Sequence, residues 1–249
     1  MHVKHHFRLR RILILSFLIT FSTKVLAQDN VLTAGFQIKP IFSGTFFKTG
    51  PQTLAGDSGV SFTTKPGSGF CAGMIVRYGI TNRVSIESGI NYVKRKYDLT
   101  IQDSTLFTGT SDYRIIGYEI PLSGLVFIQL GEKVFMDVSL GMSFDFFPTD
   151  VQSGDDYFFQ LGERKSWIGE SVIANLGYEY RTEKSGYFYI GASYHRPFND
   201  IYYSTVNYYR NKDDYTSGQQ FLLAGNYLTI DFRYFFHEDP LKKQNKKRQ

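Results

Sequence analysis

Val134-Phe135-Met136-Asp137-Val138-Ser139-Leu140-Gly141-Met142-Ser143-Phe144-Asp145 is apolar at every even position and, from Asp137 on, small or polar at every odd one. A strand has a side-chain period of two, so these two sets line opposite faces of one extended segment. The same alternation recurs at 32–44, 69–80, 83–97, 113–129, 167–181, 187–197 and 221–236, which with 133–147 predicts eight strands. The connections alternate short and long. Thr81-Asn82, Leu130 to Glu132 and Thr182 to Gly186 are short, whereas 45–68, 98–112, 148–166 and 198–220 are long and rich in loop-forming residues. Short turns on one side and long loops on the other are the pattern of a membrane-spanning barrel. The expected fold is an all-β, eight-stranded antiparallel up-and-down transmembrane β-barrel over 28–236.

The two faces differ in bulk. Even positions carry Phe36, Ile38, Met74, Ile86, Ile90, Ile120, Leu122, Leu140, Leu176, Ile190, Ile230 and Phe232. Each segment has an odd glycine: Gly35, Gly73, Gly89, Gly117, Gly141, Gly177, Gly191 and Gly225. An eight-stranded barrel encloses a space only just wide enough for side chains, so the glycine-bearing face must be inside. A soluble lipocalin-like barrel would place its large apolar groups in the interior instead. Aromatic residues gather towards the strand ends. Tyr178, Tyr180, Tyr187, Phe188, Tyr234 and Phe236 lie at one rim, and Phe42, Tyr92, Phe144, Phe146, Trp167 and Tyr194 at the other, as interfacial girdles would.

The inward set includes five bases, Lys39, Arg77, Arg95, Arg181 and Arg233, and six acids, Glu87, Glu119, Asp137, Asp145, Glu179 and Asp231. Buried charges persist when paired. A near-balanced set predicts a braced lumen with a structural role and no open pore. The long loops hold Tyr157, Phe158 and Phe159 in 148–166, and Tyr202, Tyr203, Tyr208 and Tyr209 in 198–220. Tyrosine combines contact area with a polar tip, which makes these seven the candidate loop contacts for envelope partners.

Ahead of the barrel stand Lys4, Arg8, Arg10 and Arg11, an apolar run from Ile12 to Phe21, and Val25-Leu26-Ala27. This is the order of a cleavable export signal over 1–27. The run is short for a membrane-anchor helix. Removing it takes five of the 28 basic residues, Lys24 included, and leaves 23 against 23 acids. The formal charge of +5 therefore belongs to the leader and does not point to nucleic acid. Cys71 is the one cysteine, so no intramolecular disulfide is available, and its inward position suits a small buried side chain.

No phosphate-cradling loop or metal-ligand spacing is present, so no cofactor or metal is expected. Ser193 and His195 share a face of one strand and raise the alternative of a lipid-modifying enzyme. Both are expected to point inward, away from lipid, and the chain is read as a non-enzyme with outer-membrane lipid and other envelope proteins as its partners.

Tyr118-Glu119-Ile120-Pro121-Leu122 resembles a strand common in the PorT-like outer-membrane β-barrel proteins of Bacteroidota. The Gly141 and Gly191 segments and the closing Tyr227 to Phe236 stretch are similar to the same pattern. The resemblance spans essentially the whole of 28–236 and implies an outer-membrane location, while the short turns, read as periplasmic, are expected to put both chain ends in the periplasm. The family's namesake is associated with secretion and gliding machinery, so the resemblance implies an envelope or secretion-associated assembly as the setting. The chain departs from the pattern in continuing past Phe236 with the basic tail 237–249, which carries Lys242, Lys243, Lys246, Lys247 and Arg248.

Overall fold

The computed structural model describes residues 31–42, 50–211 and 214–237. The expected leader and, beyond His237, the basic tail lie outside the described residues. Fourteen strands follow in chain order: β1 (Leu32–Phe42), β2 (Gln52–Ala55), β3 (Ser61–Pro66), β4 (Gly69–Gly79), β5 (Val84–Gln102), β6 (Thr108–Gln129) and β7 (Val134–Phe146), then β8 (Val151–Gly154), β9 (Phe158–Arg164), β10 (Ile168–Arg181), β11 (Tyr187–Pro197), β12 (Tyr202–Asn211), β13 (Asp214–Leu223) and β14 (Tyr227–Phe235).

Eight of them close a ring in the order β1-β4-β5-β6-β7-β10-β11-β14, every pair antiparallel, and β14 returns to β1 through pairs such as Gly35 with Phe235 and Phe42 with Leu228. The register sets the geometry. Stepping from Leu32 through Tyr78, Ile86, Gly124, Leu140, Ala174, Tyr194 and Leu228 leads back to β1 at Phe42, ten residues from the start. A shear of ten over eight strands tilts them by about 40° and gives a radius of about 8 Å.

The alternation read from the sequence holds in the ring. Phe36, Ile90, Leu122, Leu140, Leu176 and Phe232 are exposed on the outer face, while Gln37, Asn91, Glu119, Asp137, Asn175 and Asp231 are buried inside. Gly177 and Gly191 are register partners, and a Cβ at either would run into the Tyr189 hydroxyl, so this glycine pair makes room for a tyrosine lying in the lumen.

The connections expected to be loops are largely strands. The β2–β3 hairpin pairs with β5, and β5 and β6 run on well past the other barrel strands before they turn. Strands β13-β12-β9-β8 form a second, four-stranded sheet. Together these pieces cap the end of the barrel opposite the short turns. Their shared core contains Phe62, Leu99, Ile101, Ile115, Phe147, Phe158, Val206 and Phe221. The segment expected as one strand over 221–236 is two. It breaks between Leu223 and Tyr227, where Gly225 has φ +71° beside Ile201, so Gly225 is a turn glycine rather than a lumen glycine. Tyr187, expected in the lipid girdle, packs inward against Ile75, Tyr189 and Phe235 because its odd position faces the lumen.

Candidate functional site in the lumen and cap

Next to the short turns, a vestibule of about 1260 Å³ opens into the barrel, lined in part by Arg77, Phe127, Phe135, Arg181 and Tyr187. Ion pairs close its roof. Arg77 pairs with Glu87 at 3.1 Å and also with Glu179, and Arg181 reaches Glu179 at 2.6 Å. Arg233 bridges Glu87 at 2.6 Å and Asp231 at 2.7 Å, and Lys39 approaches Asp231 at 3.6 Å. The chain thereby links bases and acids from five strands around the lumen. Arginine suits such a layer because one planar fork serves two carboxylates and still stacks on rings. The Arg77 guanidinium lies 3.9 Å from the Phe235 ring centre, and that of Arg181 4.1 Å from Phe135. Asp137, also inside, accepts no hydrogen bond from a described residue.

Towards the cap, His195 joins two carboxylates. Its Nε2 lies 3.2 Å from Glu119 and 3.2 Å from Asp145, with the Ser143 hydroxyl also at 3.2 Å. The carboxylates are held by other donors. Tyr227 donates its hydroxyl to Glu119 at 2.7 Å, Asn91 donates to Glu119 at 2.9 Å, and Ser171 donates to Asp145 at 2.6 Å. The imidazole stacks on Tyr227 with ring centres 4.4 Å apart. Arg95 sits over the Tyr227 ring at 4.9 Å and makes no ion pair within 4 Å among the described residues. Glu119, Asp145 and His195 are the kinds of residue that hold a metal. However, His195 Nδ1 has no partner, whereas a metal-bound imidazole ordinarily donates its other N–H.

Ser193 and His195, adjacent on one face, belong to different networks. Ser193 donates to Asp231 at 2.6 Å and accepts from Asn175 at 2.9 Å. The link of His195 to Glu119 crosses from β11 to β6, which are not neighbours in the ring, so it was invisible to a reading along the chain. Tyr227 was not singled out either. Its odd position was the available signal.

The seven loop candidates separate by parity. Phe158, Tyr202 and Tyr208 are buried in the cap core and cannot serve as surface contacts, because they point to the inner face of the second sheet. Tyr157 and Phe159 are exposed, and Tyr203 and Tyr209 are half-buried on the outer side. Register places Phe159 opposite Asn207 and Tyr203 opposite Leu222, so Phe159, Tyr203, Tyr209 and Leu222 line the outer side of that sheet. At the tip of the β5–β6 hairpin, Leu106 has φ +66° and is 95 % exposed. Asp103 holds this turn. It accepts the Thr105 hydroxyl at 2.6 Å, the Thr105 amide at 2.7 Å, the Phe107 amide at 3.2 Å and the Tyr208 hydroxyl at 3.1 Å. The Thr105 hydroxyl bond, aided by these others, lowers the Asp103 carboxyl to about 2.

No protein-family model and no curated protein matches the chain. Solved structures do. The outer membrane protein OprG from Pseudomonas aeruginosa aligns with a TM-score of 0.55 and 12% identity over 85% of this chain and 98% of its own. The outer membrane protease OmpT from Escherichia coli aligns at TM-score 0.32 and 12% identity, over 86% and 99%. An outer membrane channel from Pseudomonas putida F1 aligns at 0.26 and 11%, over 86% and 98%. At these identities the likeness to OprG speaks for fold alone. Taken with the closed ring, its exposed apolar belt and its polar interior, it gives the chain the fold of an outer-membrane β-barrel protein.

Proposed function

We propose that this protein is a non-conducting, non-catalytic anchor of the outer membrane that presents a rigid folded cap to partners in the envelope. The observation that carries the reading is the second sheet. One of its faces is spent on the cap core, and the other turns Phe159, Tyr203, Tyr209 and Leu222 outward. Aromatic side chains with polar tips, held on a rigid sheet, bind at small entropic cost. The interlocked ion pairs of the lumen support the absence of a pore, because an ion would have to break buried pairs to pass. His195 and its carboxylates are buried and face away from lipid, which favours a bracing role over lipid chemistry.

In this reading the leader 1–27 is cleaved, both ends of the mature chain lie in the periplasm, and the PorT-like resemblance supports an envelope or secretion-associated assembly as the setting. The test uses intact envelopes. Phe159→Ser, Tyr203→Ser and Tyr209→Ser are combined in one chain whose heat-modifiable migration shows that the barrel has assembled. Loss of co-purifying envelope proteins is the expected outcome. Retention of every partner by an assembled variant overturns the cap reading.

A further inference from the structure

On the outer face of β5 and β6 the chemistry changes abruptly with height. Phe70, Tyr92 and Tyr118 form an aromatic row across β4, β5 and β6, with ring centres 5.8 and 6.0 Å apart. Two and four residues further along the same face of β5 stand Lys94 and Lys96, and four residues beyond Tyr118 on β6 stands Arg114, the register partner of Lys96. At the strand rise and tilt of this barrel, Lys94 lies about 5 Å and Lys96 about 10 Å above the aromatic row.

The acids of this wall lie higher still. Asp98 and Asp112 are register partners one step further from the membrane. They take Lys96 at 3.1 Å and Arg114 at 3.4 Å from above. Lys94 makes no ion pair among the described residues and reaches over the Phe70 ring at 5.9 Å. The side chains of Lys96 and Arg114 remain 34 % and 56 % exposed. The bilayer side of the wall is therefore an aromatic ledge with Lys94 one step above it and Lys96 and Arg114 a step higher, Ile116 lying between Tyr118 and Arg114.

We propose that this ledge is a binding site for a phosphorylated glycolipid of the outer leaflet. The acyl chains and sugar rim would lie against Phe70, Tyr92 and Tyr118, and the phosphates against Lys94, Lys96 and Arg114. Charge complementarity and height both select such a lipid. Aromatic rings settle at the boundary of the hydrocarbon, and the phosphates of a sugar-headed lipid lie just beyond it. The proposal rests on the outer-membrane reading and adds its lipid partner.

The test reconstitutes the full mature chain into phosphatidylcholine vesicles doped with bis-phosphorylated lipid A, and measures retained lipid per barrel by native mass spectrometry. Lys94→Gln, Lys96→Gln and Arg114→Gln are combined in one variant. A control variant carries Arg83→Gln, Lys133→Gln and Lys184→Gln at the opposite rim. Affinity for lipid A is expected to fall roughly tenfold or more in the first variant and to be kept in the control. Lipid A stripped of its phosphates is expected to bind the unaltered chain as weakly as the first variant binds the intact lipid. Equal retention by the first variant and the unaltered chain overturns the proposal. So does equally tight binding of phosphatidylglycerol or inorganic phosphate, which would make the site one for phosphate in general. If the unaltered chain enters no vesicle at all, the membrane reading itself falls, and the lipid site with it.

Discussion

Strand β5 passes through both regions of the molecule, and its two faces exchange chemistry on the way. In the barrel its outward residues are Ile86, Ile90 and Tyr92 and its inward ones Glu87, Asn91 and Arg95; in the cap the outward residues are Lys96 and Asp98 and the inward ones Tyr97, Leu99 and Ile101. The backbone and parity do not change. What changes is the medium. In hydrocarbon an apolar outer face is dissolved rather than exposed, so the interior must be held by hydrogen bonds and ion pairs. In water the ordinary rule returns, and buried apolar area holds the cap at about 25 cal/mol per Å². The exchange between Tyr92 and Tyr97 is where the apolar outer face of β5 ends.

The comparison breaks most visibly in the lumen. Glu179→Ala leaves Arg77 and Arg181 without their shared carboxylate. The expected loss is about 3–5 kcal/mol of barrel stability, read from the urea dependence of heat-modifiable migration. A loss below about 1 kcal/mol would mean that the lumen pairs do not hold the barrel.

Phe221→Ala should cost a similar amount, about 3–5 kcal/mol, but in the cap alone. Limited proteolysis should then cleave between β12 and β13 while the barrel keeps its heat-modifiable migration. Simultaneous loss of the barrel would show that the two regions are one cooperative unit.

A milder pair sharpens the boundary within one strand. Ile90→Arg places a charge on the lipid face about 5 Å below Tyr92 and should cost about 1–2 kcal/mol. Thr100→Arg lies on the same face of β5 above the exchange and should fall within about 0.5 kcal/mol of neutral. Equal costs would remove the boundary from this position.

The smallest effect is one of pH. The Asp103 carboxyl is lowered from 3.8 to about 2, so its contribution to the hairpin turn is complete above about pH 4 and is lost as pH falls towards 2. Amide exchange of Thr105 and Phe107 should rise across that window, and Asp103→Asn should remove the pH dependence. The barrel amides should remain protected throughout.

The ring was legible in the sequence because a single alternation, with glycines on one face and bulky apolar residues on the other, fits only one orientation in a narrow barrel. The cap was hidden for a related reason. Tyr202 to Asn211 carries aromatic residues on both faces, Tyr202 and Tyr208 inside with Tyr203 and Tyr209 outside, so the period of two is blurred. Phe158–Arg164 is short and follows an Asp-rich turn, which reads as loop. Gly225 continues the odd series by position, yet its left-handed backbone ends the strand. The lumen charges were found by parity, whereas their partners were not. The pairing of Arg233 with Glu87 depends on which strands face each other across the ring.

The seam between β1 and β14 has a consequence for the order of assembly. Gly35 finds its partner in Phe235, two hundred residues further along the chain. Until Tyr227–Phe235 arrives, β1 and β11 each carry a free edge, and a bilayer holds no water to satisfy it. The cap strands Tyr202–Asn211 and Asp214–Leu223 precede this latch in the chain, so they stand between the open wall and its last strand. Pairing so distant in sequence is intrinsically slower than the hairpin pairings of neighbouring strands. The nine residues of the last strand turn a wall with two free edges into a ring with none.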